Sequence, residues 1–394
     1  MISSVMPTYA RPDIEMVRGD GAYLFDSKGR KYLDFIAGIA VNAFGHGHPH
    51  LVEALKRQAE TLWHTSNLYR IPGQEKVAER LKAATFADTM FFTNSGTEAV
   101  ECALKACRRY HYVNGQPEKY GFIAFDNAFH GRSMGAISAS SQKKLREGFE
   151  PLLPGFKFAP FNDLAATEAL IDEHTGGIIV EPIQGEGGIA MATPAFMNGL
   201  KVLCDKHGLL LILDEIQCGM GRTGKLFAYE HYDIKPDIMT VAKGIGGGFP
   251  LGACLTTEAV GVTMSAGTHG STYGGNPLGM AVADAVLDLM LEPGFLDQVT
   301  ATGERLAQAL GQMIPNHDDV FAAAPVRGIG LMRGLQLKVP NRDFVGHARG
   351  EGILAAAAGS DVIRLMPPLN IGQAHIDEAV ERLSAAARSF PRGS

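Results

Sequence analysis

Several features that assign a chain to a specialised class are missing from this sequence. It has no apolar run long enough to cross a membrane, and no block of lysine and arginine offsets its net charge of −6. Its first residues lack the basic and apolar segments of a signal peptide. We find no internal repeat and no low-complexity segment. These absences predict a soluble cytoplasmic protein that has neither a membrane nor a nucleic acid as its partner.

Cysteines are few, and their spacing excludes two common uses. No Cys-x-x-Cys pair is present and the number is odd, which argues against a disulfide framework and against a zinc site. We expect buried thiols in a reducing compartment at five positions: Cys102, Cys107, Cys204, Cys218 and Cys254.

Three histidines, His46, His48 and His50, lie close together, and such clustering can mark a metal site. Glycines and a proline separate them, however, and no carboxylate or cysteine is interleaved. We therefore predict no metal here. We expect a turn in which the histidines hydrogen-bond the backbone just before a helix.

The chain of 394 residues contains 46% hydrophobic residues, enough for a sizeable core and for two domains. Apolar stripes at helical spacing predict helices at 51–63, 74–84, 99–110, 164–174, 194–207, 278–291, 295–314 and 376–387. Apolar or alternating runs predict strands at 23–25, 31–35, 90–93, 121–125, 177–182, 209–215, 249–255 and 362–365, and short strands within 326–338. Prolines interrupt residues 140–175, which we expect to be peripheral.

Between residues 90 and 290, strands alternate with helices, which predicts an α/β fold with a largely parallel sheet covered on both faces. The pattern changes near Glu292-Pro-Gly294, after which a smaller α+β domain is indicated. We therefore predict an N-terminal segment at 1–50 that packs with the small domain, a large domain at 51–292 and a small domain at 293–394.

The most informative stretch is 237–248, where a short apolar run ends at one lysine and the chain turns at once into glycines. Val241 and Ala242 give Lys243 no charged neighbour, and apolar surroundings disfavour a charged ammonium. A neutral amine can form a Schiff base with an aldehyde, and pyridoxal phosphate is the commonest such cofactor. An isolated lysine before glycines is, however, more often a solvated strand end.

A turn of small residues, Asn94-Ser-Gly-Thr-Glu98, joins a predicted strand to a helix. Ser95, Gly96 and Thr97 could offer backbone N–H groups and hydroxyls at the positive end of the helix dipole, which suits a phosphate. The stretch fits an ordinary helix cap equally well, with Glu98 in the first turn.

Asp214 ends an apolar run at the carboxyl end of a predicted strand, where open α/β sheets bind ligands. An acid at this point could pair with a pyridinium nitrogen and keep it protonated, and Gln217 lies just beyond. Alone, Asp214 could equally be a capping residue in a loop.

Other candidates lie in loops. Phe129 could stack on a planar ring and Arg132 could bind a carboxylate, although a core phenylalanine beside a surface arginine is the simpler alternative. Ser271 and Thr272 lie in a glycine-rich polar loop, and they are candidate hydroxyl donors to a phosphate.

Five motifs carry a resemblance that joins these pieces: Asn94-Ser-Gly-Thr-Glu-Ala99, Phe129-His-Gly-Arg132, Glu181-Pro-Ile-Gln-Gly-Glu186, Leu213-Asp-Glu-Ile-Gln217 and Ala242-Lys-Gly244. With them, the chain resembles the class III aminotransferases of pyridoxal-phosphate fold type I, and most closely the bacterial acetylornithine aminotransferases. The resemblance extends over essentially the whole chain, from Gly45-His-Gly-His-Pro49 to Arg364-Leu-Met-Pro-Pro368.

The resemblance implies a role for each matching residue. Lys243 would bind pyridoxal 5'-phosphate covalently and carry a proton, and Asp214 would pair with the ring nitrogen. Phe129 would stack on the ring, and Gln217 would lie by its phenolic oxygen. Thr272 would reach the phosphate from the neighbouring subunit of a homodimer with shared active sites. The implied cofactor-binding set is Ser95, Gly96, Thr97, Phe129, Asp214, Glu215, Ile216, Gln217, Lys243 and Thr272.

For the substrates, the resemblance implies contacts from Arg132, Ser271, Glu186 and Arg364. In related ω-aminotransferases, an arginine placed like Arg364 binds the α-carboxylate of glutamate or 2-oxoglutarate. A glutamate placed like Glu186 covers that arginine while the amino donor is bound. Such a switch lets one pocket accept a dicarboxylate and later present no bare cation to an ω-amine.

The implied reaction is a ping-pong transfer of the terminal amine of N-acetylornithine to 2-oxoglutarate in arginine biosynthesis, with N-succinyl-diaminopimelate as a side substrate. Residues 36–44 contain no tyrosine, whereas ornithine aminotransferases tend to place one there, which favours the acylated substrate. The alternatives are succinylornithine, ornithine and 4-aminobutyrate aminotransferases. More remote alternatives are a decarboxylase or racemase, which need no 2-oxoglutarate site, and a non-catalytic binding module, which would be colourless.

One departure from the family pattern concerns the helix after Asn94–Ala99. Val100 and Cys102 stand where many relatives have Asn and Ala. We expect both to face the packing of the helix, with no loss of phosphate binding.

Overall fold

The structure is a computed structural model and describes residues 4–391. Its strands are β1 (Met16–Asp20), β2 (Tyr23–Asp26), β3 (Lys31–Asp34), β4 (Thr89–Thr93), β5 (Gly121–Phe125), β6 (Phe156–Ala159), β7 (Thr175–Val180), β8 (Ile183–Gln184), β9 (Ala190–Met191), β10 (Leu210–Asp214), β11 (Ile238–Ala242), β12 (Gly252–Thr256), β13 (Arg327–Ile329), β14 (Met332–Gln336), β15 (Ile353–Leu354), β16 (Ala356–Ala358) and β17 (Val362–Leu365).

The helices are α1 (Ala37–Ala40), α2 (Pro49–Ala59), α3 (Pro72–Ala84), α4 (Gly96–Val113), α5 (Met134–Ser138), α6 (Lys143–Arg146), α7 (Leu164–Ala169), α8 (Pro194–His207), α9 (Glu258–Gly261), α10 (Pro277–Met290), α11 (Phe295–Met313), α12 (Asn341–Gly350) and α13 (Gln373–Ser389). Short 3₁₀ helices cover Ala228–His231, Lys243–Gly246 and Ile314–His317. Within residues 4–391, no helix combines the length and the apolar character needed to cross a bilayer.

The central sheet has seven strands in the order β4-β12-β11-β10-β7-β5-β6. Strand β12 runs antiparallel to both of its neighbours, and the other pairs in the sheet are parallel. Strands β7, β10 and β11 are buried along their whole length, which explains why they are nearly continuous apolar runs. The predicted α/β fold with a mostly parallel sheet is confirmed.

The two faces of this sheet are covered by different helices. Leu211 and Leu213 belong to a core that includes α8 and α10, whereas Leu210 and Ile212 pack with α4. Successive side chains of a strand point to opposite faces, so one apolar strand serves both cores. Strand β10 ends at Asp214 and β11 ends just before Lys243, which brings both residues to the carboxyl edge of the sheet.

Smaller sheets join the two ends of the chain. The predicted hairpin forms from β2 and β3. Strand β3 also pairs in parallel with β15, so N-terminal residues and residues 353–354 belong to one sheet. A second small sheet, in the order β13-β14-β17-β16, carries Arg364 on β17. The boundaries at residues 50 and 292 stay a prediction.

Some local predictions were wrong. The helix predicted at 164–174 ends at Ala169, because Thr175 already begins β7. Strand β6 and helix α12 were not predicted; β6 has only four residues and lies at the sheet edge, within a stretch that we expected to be peripheral.

Two of the clustered histidines bond carboxylates, which corrects the expectation that they bond the backbone. His46 Nε2 lies 2.7 Å from Asp34 Oδ2, and His50 Nε2 lies 2.9 Å from Asp288 Oδ2. The acids come from β3 and α10, 12 and 238 residues away in the chain. Local sequence spacing could not identify such partners.

Candidate active site

A cavity of about 370 Å³ lies at the carboxyl edge of the central sheet. Eight of the predicted site residues line it: Ser95, Gly96, Thr97, Phe129, Asp214, Ile216, Gln217 and Lys243. Its walls are completed by Val41, Asn94, His130, Gly131, Glu181, Ala242, Gly248, Phe249, Pro250 and Leu251. The cavity thus unites the turn before α4, the end of β10 and the end of β11, as the sequence predicts.

Lys243 is held in a strained backbone conformation. Its φ is +52°, in the left-handed region, which non-glycine residues seldom adopt and which is enriched at functional sites. At the next position, a Cβ would come within 2.8 Å of the Met220 side chain, so Gly244 permits the close approach. Burial, together with the charge of Arg364, lowers the pKa of Lys243 to about 8, although nearby carboxylates oppose this. At pH 7 about a tenth of the amine is therefore neutral, far more than at the ordinary pKa of 10.5.

Asp214 is fixed by three hydrogen bonds. His130 Nδ1 donates to Oδ2 at 2.8 Å, while Thr240 Oγ1 and the Ile216 amide donate to Oδ1 at 3.2 and 3.1 Å. Burial disfavours the imidazolium of His130, but the hydrogen bond and charge of Asp214 and the charge of Glu181 outweigh burial and raise the pKa of His130. These donors hold the Asp214 carboxylate in a fixed orientation in the cavity wall.

Glu181 is a second buried acid in the same wall. Its Oε2 accepts a hydrogen bond from the Phe129 amide at 3.1 Å. Burial raises the pKa of Glu181 to about 8, against the opposing charges of His130 and Lys243. Glu181 and His130 were missed as site residues, although both lie inside motifs that carry the family resemblance. An ionisable residue directly after an apolar strand, as Glu181 follows β7, was the available signal.

The turn before α4 combines the two roles that the sequence left open. As an N-cap, Ser95 Oγ accepts from the Glu98 amide at 3.3 Å, and Glu98 Oε2 accepts from the Asn94 amide at 2.6 Å. The same turn lines the cavity with the first residues of an 18-residue helix, whose N–H groups lack carbonyl partners one turn earlier. A Cβ at Gly96 would come within 2.9 Å of Ile216, so the close packing needs glycine here.

Arg364 lies behind the cavity and is bonded to a residue of its wall. Its Nη1 donates to Glu186 Oε1 at 2.6 Å and to Gln217 Oε1 at 2.7 Å. The Arg364 side chain is 2% exposed, whereas that of Glu186 is 31% exposed. Arg364 Nε is buried and has no hydrogen-bond partner among residues 4–391. A buried guanidinium with an unpaired Nε–H group and one half-exposed acid partner can bind a carboxylate from a ligand.

Glu215 serves the fold instead of the cavity. Its carboxylate accepts hydrogen bonds from the Ala228 and Tyr229 amides at 2.8 and 2.7 Å, and Cys218 Sγ lies 3.3 Å from Oε2. The family resemblance implied a cofactor contact for Glu215, but its carboxylate bonds the amides at the start of the 3₁₀ helix Ala228–His231. Burial raises the pKa of Glu215 to about 7.

The remaining predicted residues lie near the cavity without lining it. Ser271 Oγ accepts from Asn94 Nδ2 at 3.3 Å, one hydrogen bond away from the wall. Arg132 is exposed, with its Cζ 5.6 Å from the Phe129 ring centroid. Thr272 is exposed and lies outside the lining.

A family model described as aminotransferase class-III matches residues 5–387. The chain belongs to this family. It is 53% identical over 390 residues to the acetylornithine aminotransferase of Rhodobacter capsulatus, an alignment that covers 99% of each chain. As a class-III aminotransferase, it has pyridoxal-phosphate fold type I, and its family depends on pyridoxal phosphate. The resemblance inferred from the motifs is confirmed.

Solved structures agree with this assignment. The N-acetylornithine aminotransferase from Stenotrophomonas maltophilia K279a superposes with a TM-score of 0.85 at 38% identity, over 97% of both chains. The ornithine aminotransferase of Toxoplasma gondii ME49 superposes with a TM-score of 0.93 at 32% identity, over 98% of this chain and 93% of its own. Fold similarity alone therefore does not separate acylated from free ornithine.

Proposed function

We propose that this aminotransferase transfers the terminal amine of N-acetylornithine to 2-oxoglutarate and yields N-acetylglutamate semialdehyde and glutamate. The observation that carries the proposal is Arg364, a buried cation bonded both to Gln217 in the cavity wall and to the half-exposed Glu186. A dicarboxylate acceptor needs such a cation. The 53% identity to an enzyme named acetylornithine aminotransferase supports the acylated donor.

The residues of the cavity fit pyridoxal phosphate. The N-terminus of α4 offers N–H groups to a phosphate, Asp214 offers a carboxylate to a ring nitrogen, and Lys243 offers an amine of lowered pKa. Phe129 presents an aromatic ring in the wall between them. When bound, the cofactor supplies an aldehyde carbon and an electron-withdrawing ring.

Each of these side chains has a task that its environment supports. Asp214, fixed by His130 and Thr240, holds a proton on the ring nitrogen. Lys243 accepts a proton from the substrate carbon at Nζ and returns it, and a pKa of about 8 permits both directions near neutral pH. The largely apolar cavity excludes water from this transfer.

We infer that Glu186 acts as a removable cover for Arg364. With the amino donor bound, the ion pair at 2.6 Å leaves no bare cation for the donor's ω-amine to meet. With 2-oxoglutarate bound, the acceptor's carboxylate takes the place of Glu186 on the guanidinium. The partial exposure of Glu186 allows its carboxylate to move into solvent, and the acceptor's carboxylate then compensates the buried guanidinium of Arg364.

We also infer a homodimer with shared sites. Thr272 and Ser271 lie in an exposed loop, and Thr272 has no contact with its own cavity in the described structure. Its assigned role at a phosphate therefore requires a second copy of the chain. Sedimentation at micromolar concentration should give twice the monomer mass of 42.1 kDa. A monomer with full activity would contradict this inference.

A half-reaction screen tests the substrate. The purified holoenzyme is mixed with N-acetylornithine, ornithine or 4-aminobutyrate in the absence of an acceptor, and the decay of the cofactor absorbance is followed. We expect N-acetylornithine to react at least about tenfold faster than either unacylated amine. A faster reaction with ornithine or 4-aminobutyrate would overturn the proposed donor while leaving the aminotransferase class intact.

The Glu186→Gln variant tests the cover. Without its anion, Arg364 stays exposed to the donor, so we expect the amine half-reaction to slow about tenfold while the 2-oxoglutarate half-reaction changes little. Glu168→Gln is the matched control, because Glu168 also pairs with a cation, Lys206 at 2.7 Å, but on the surface. Equal changes in both half-reactions would rule out the cover.

A further inference from the structure

A second cavity, of about 260 Å³, shares no lining residue with the first. Its walls come from β4, β12, α4 and the segment 261–269. Met90, Phe91 and Met264 give it an apolar lining, and Cys102, Cys254 and His269 add the reactive side chains.

The two thiols are free and line the same cavity as His269. Side-chain hydrogen bonds from Cys254 and from His269 lower the pKa of Cys102. Lys105 Nζ donates to His269 Nδ1 at 2.9 Å, which leaves the imidazole proton on the other ring nitrogen. Cys102 therefore accepts two hydrogen bonds, with two basic side chains beside it.

These contacts determine which thiol ionises first. The hydrogen bond from Cys254 lowers the pKa of Cys102 most, His269 and Lys105 add to this effect, and burial opposes it. The pKa of Cys254 is raised by the same hydrogen bond and by burial. The first proton to leave the pair therefore leaves Cys102 as the thiolate, the nucleophilic form.

The other cysteines provide an internal contrast. Cys107 is on the same helix as Cys102, and burial raises its pKa far above the usual range. Burial has the same effect on the pKa of Cys204 and Cys218. A position on helix α4 is therefore not enough to lower the pKa of a thiol, because the pKa of Cys107 is raised. The reactivity of Cys102 would come from its partners and its cavity.

We propose that Cys102 and Cys254 form a dithiol site that a small hydroperoxide entering the second cavity oxidises to a disulfide. The Cys102 thiolate attacks the peroxide, an S–O bond forms, the O–O bond breaks, and the leaving oxygen takes a proton. The Cys254 sulfur then attacks the Cys102 sulfenic acid, the S–S bond forms, and water leaves. In sum, two thiols and one hydroperoxide give one disulfide, one alcohol (water when the oxidant is hydrogen peroxide) and one water.

The experiment exposes the folded holoenzyme to hydrogen peroxide, then measures intact mass and maps the peptides. We expect the wild type to lose two hydrogens and to yield a Cys102–Cys254 crosslinked peptide that dithiothreitol reverses. Cys107→Ser, on the same helix, should behave like the wild type. Cys254→Ser should stop at a Cys102 sulfenic acid that dimedone traps, whereas Cys102→Ser should give neither product.

His269→Asn tests the activation of the thiolate, and we expect it to slow oxidation about tenfold by raising the pKa of Cys102. An unchanged rate would overturn the role of His269. Five free thiols in peroxide-treated wild type, or a crosslink that forms only in urea, would overturn the site itself. The mapping of the wild type needs no variant, so this result stands even if a substitution prevents folding.

Discussion

Near the end of β10, buried charged side chains have two kinds of hydrogen-bond partner, and the two kinds lie on opposite sides of this strand end. On the cavity side, Asp214 bonds His130, and Arg364 bonds Glu186, so ionisable side chains compensate one another. On the far side, the partners are backbone groups. Glu215 accepts from two amides, as described above, and Arg222 Nη1 donates to the carbonyl oxygens of Leu331 and Pro367.

The difference separates reactivity from support. Side-chain partners can move or change protonation when a ligand arrives, whereas a backbone partner cannot leave without distorting the chain. Within residues 4–391, Arg222 forms no ion pair with an acid, and burial lowers its pKa to about 9. It connects the loop after β10 to residues 331 and 367, close to the strand that carries Arg364. We therefore expect cavity-side substitutions to change rates and far-side substitutions to change stability.

Lys243→Ala should have the largest effect. Removal of the amine eliminates both the covalent attachment and the proton carrier, so we expect transamination to fall at least about 10³-fold. Because the pKa of this amine is depressed by burial, its loss should leave the melting temperature unchanged or slightly higher. A coupled glutamate assay and thermal unfolding measure the two quantities.

The exposed Lys225 provides the control for this prediction. Lys225→Ala should change neither rate nor melting temperature. Activity of Lys243→Ala within tenfold of the wild type would remove the basis for the cavity as the active site.

Arg222→Met should have the largest effect on stability on the far side. The change leaves two buried carbonyl oxygens without their donor, and each unsatisfied group costs about 1–3 kcal/mol. We expect the free energy of unfolding in urea to fall by about 2–4 kcal/mol, with a much smaller change in kcat. Arg57→Met, at a side chain that is 68% exposed, is the control. A loss of rate without a loss of stability would break the comparison between the two sides.

The sequence predicted the parts of the fold and site that depend on local pattern. Continuous apolar runs predicted β7 and β10, and a polar residue at the end of such a run identified Asp214. The glycines after Lys243 marked the turn at the edge of the sheet. The carboxyl ends of parallel strands lie at the same edge of a sheet, so residues that are distant in the chain could be predicted to line one cavity.

Tertiary pairing was beyond the reach of local pattern. His130 and Glu181 were not singled out, because their roles depend on a distant Asp214 and on burial. His46 and His50 were assigned backbone partners, but the fold supplies Asp34 and Asp288.

The Asp214-Glu215 dipeptide shows the same limit at one strand end. The two acids are adjacent, yet one bonds His130 in the cavity wall and the other bonds amides at the start of the 3₁₀ helix Ala228–His231. The family resemblance carried both over as cofactor contacts, because a linear motif does not record the alternation of side chains along an extended chain.

Asp214→Asn and Glu215→Gln compare these neighbours directly. Asp214→Asn removes the anion that His130 and Thr240 orient, and we expect kcat to fall about 10²-fold at nearly unchanged stability. Glu215→Gln weakens the acceptor of the Ala228 and Tyr229 amides, and we expect a loss of about 1–3 kcal/mol of stability with a small change in kcat. Steady-state kinetics and urea unfolding measure both variants. The reverse assignment of effects would contradict the division between the two sides.

The last effect that we predict is a pH dependence of stability at Glu181. Burial raises the pKa of Glu181 to about 8 in the folded protein, whereas an unfolded glutamate has the ordinary value of 4.5. Between these values the folded state binds the extra proton, so the contribution of Glu181 to stability, fully present below pH 4.5, is lost as the pH rises towards 8. Glu181→Gln does not titrate, and its free energy of unfolding relative to the wild type should therefore rise across this window. The slope is at most about 1.4 kcal/mol per pH unit, since a single proton is involved.

Urea titrations at half-unit intervals of pH measure this slope. The surface variant Glu168→Gln is the control, because the contributions of the other titrating groups cancel between each variant and the wild type. A difference that is flat from pH 5 to 8 would mean that Glu181 is already ionised in the folded protein, and the cavity wall would then carry one more negative charge than the burial of Glu181 indicates.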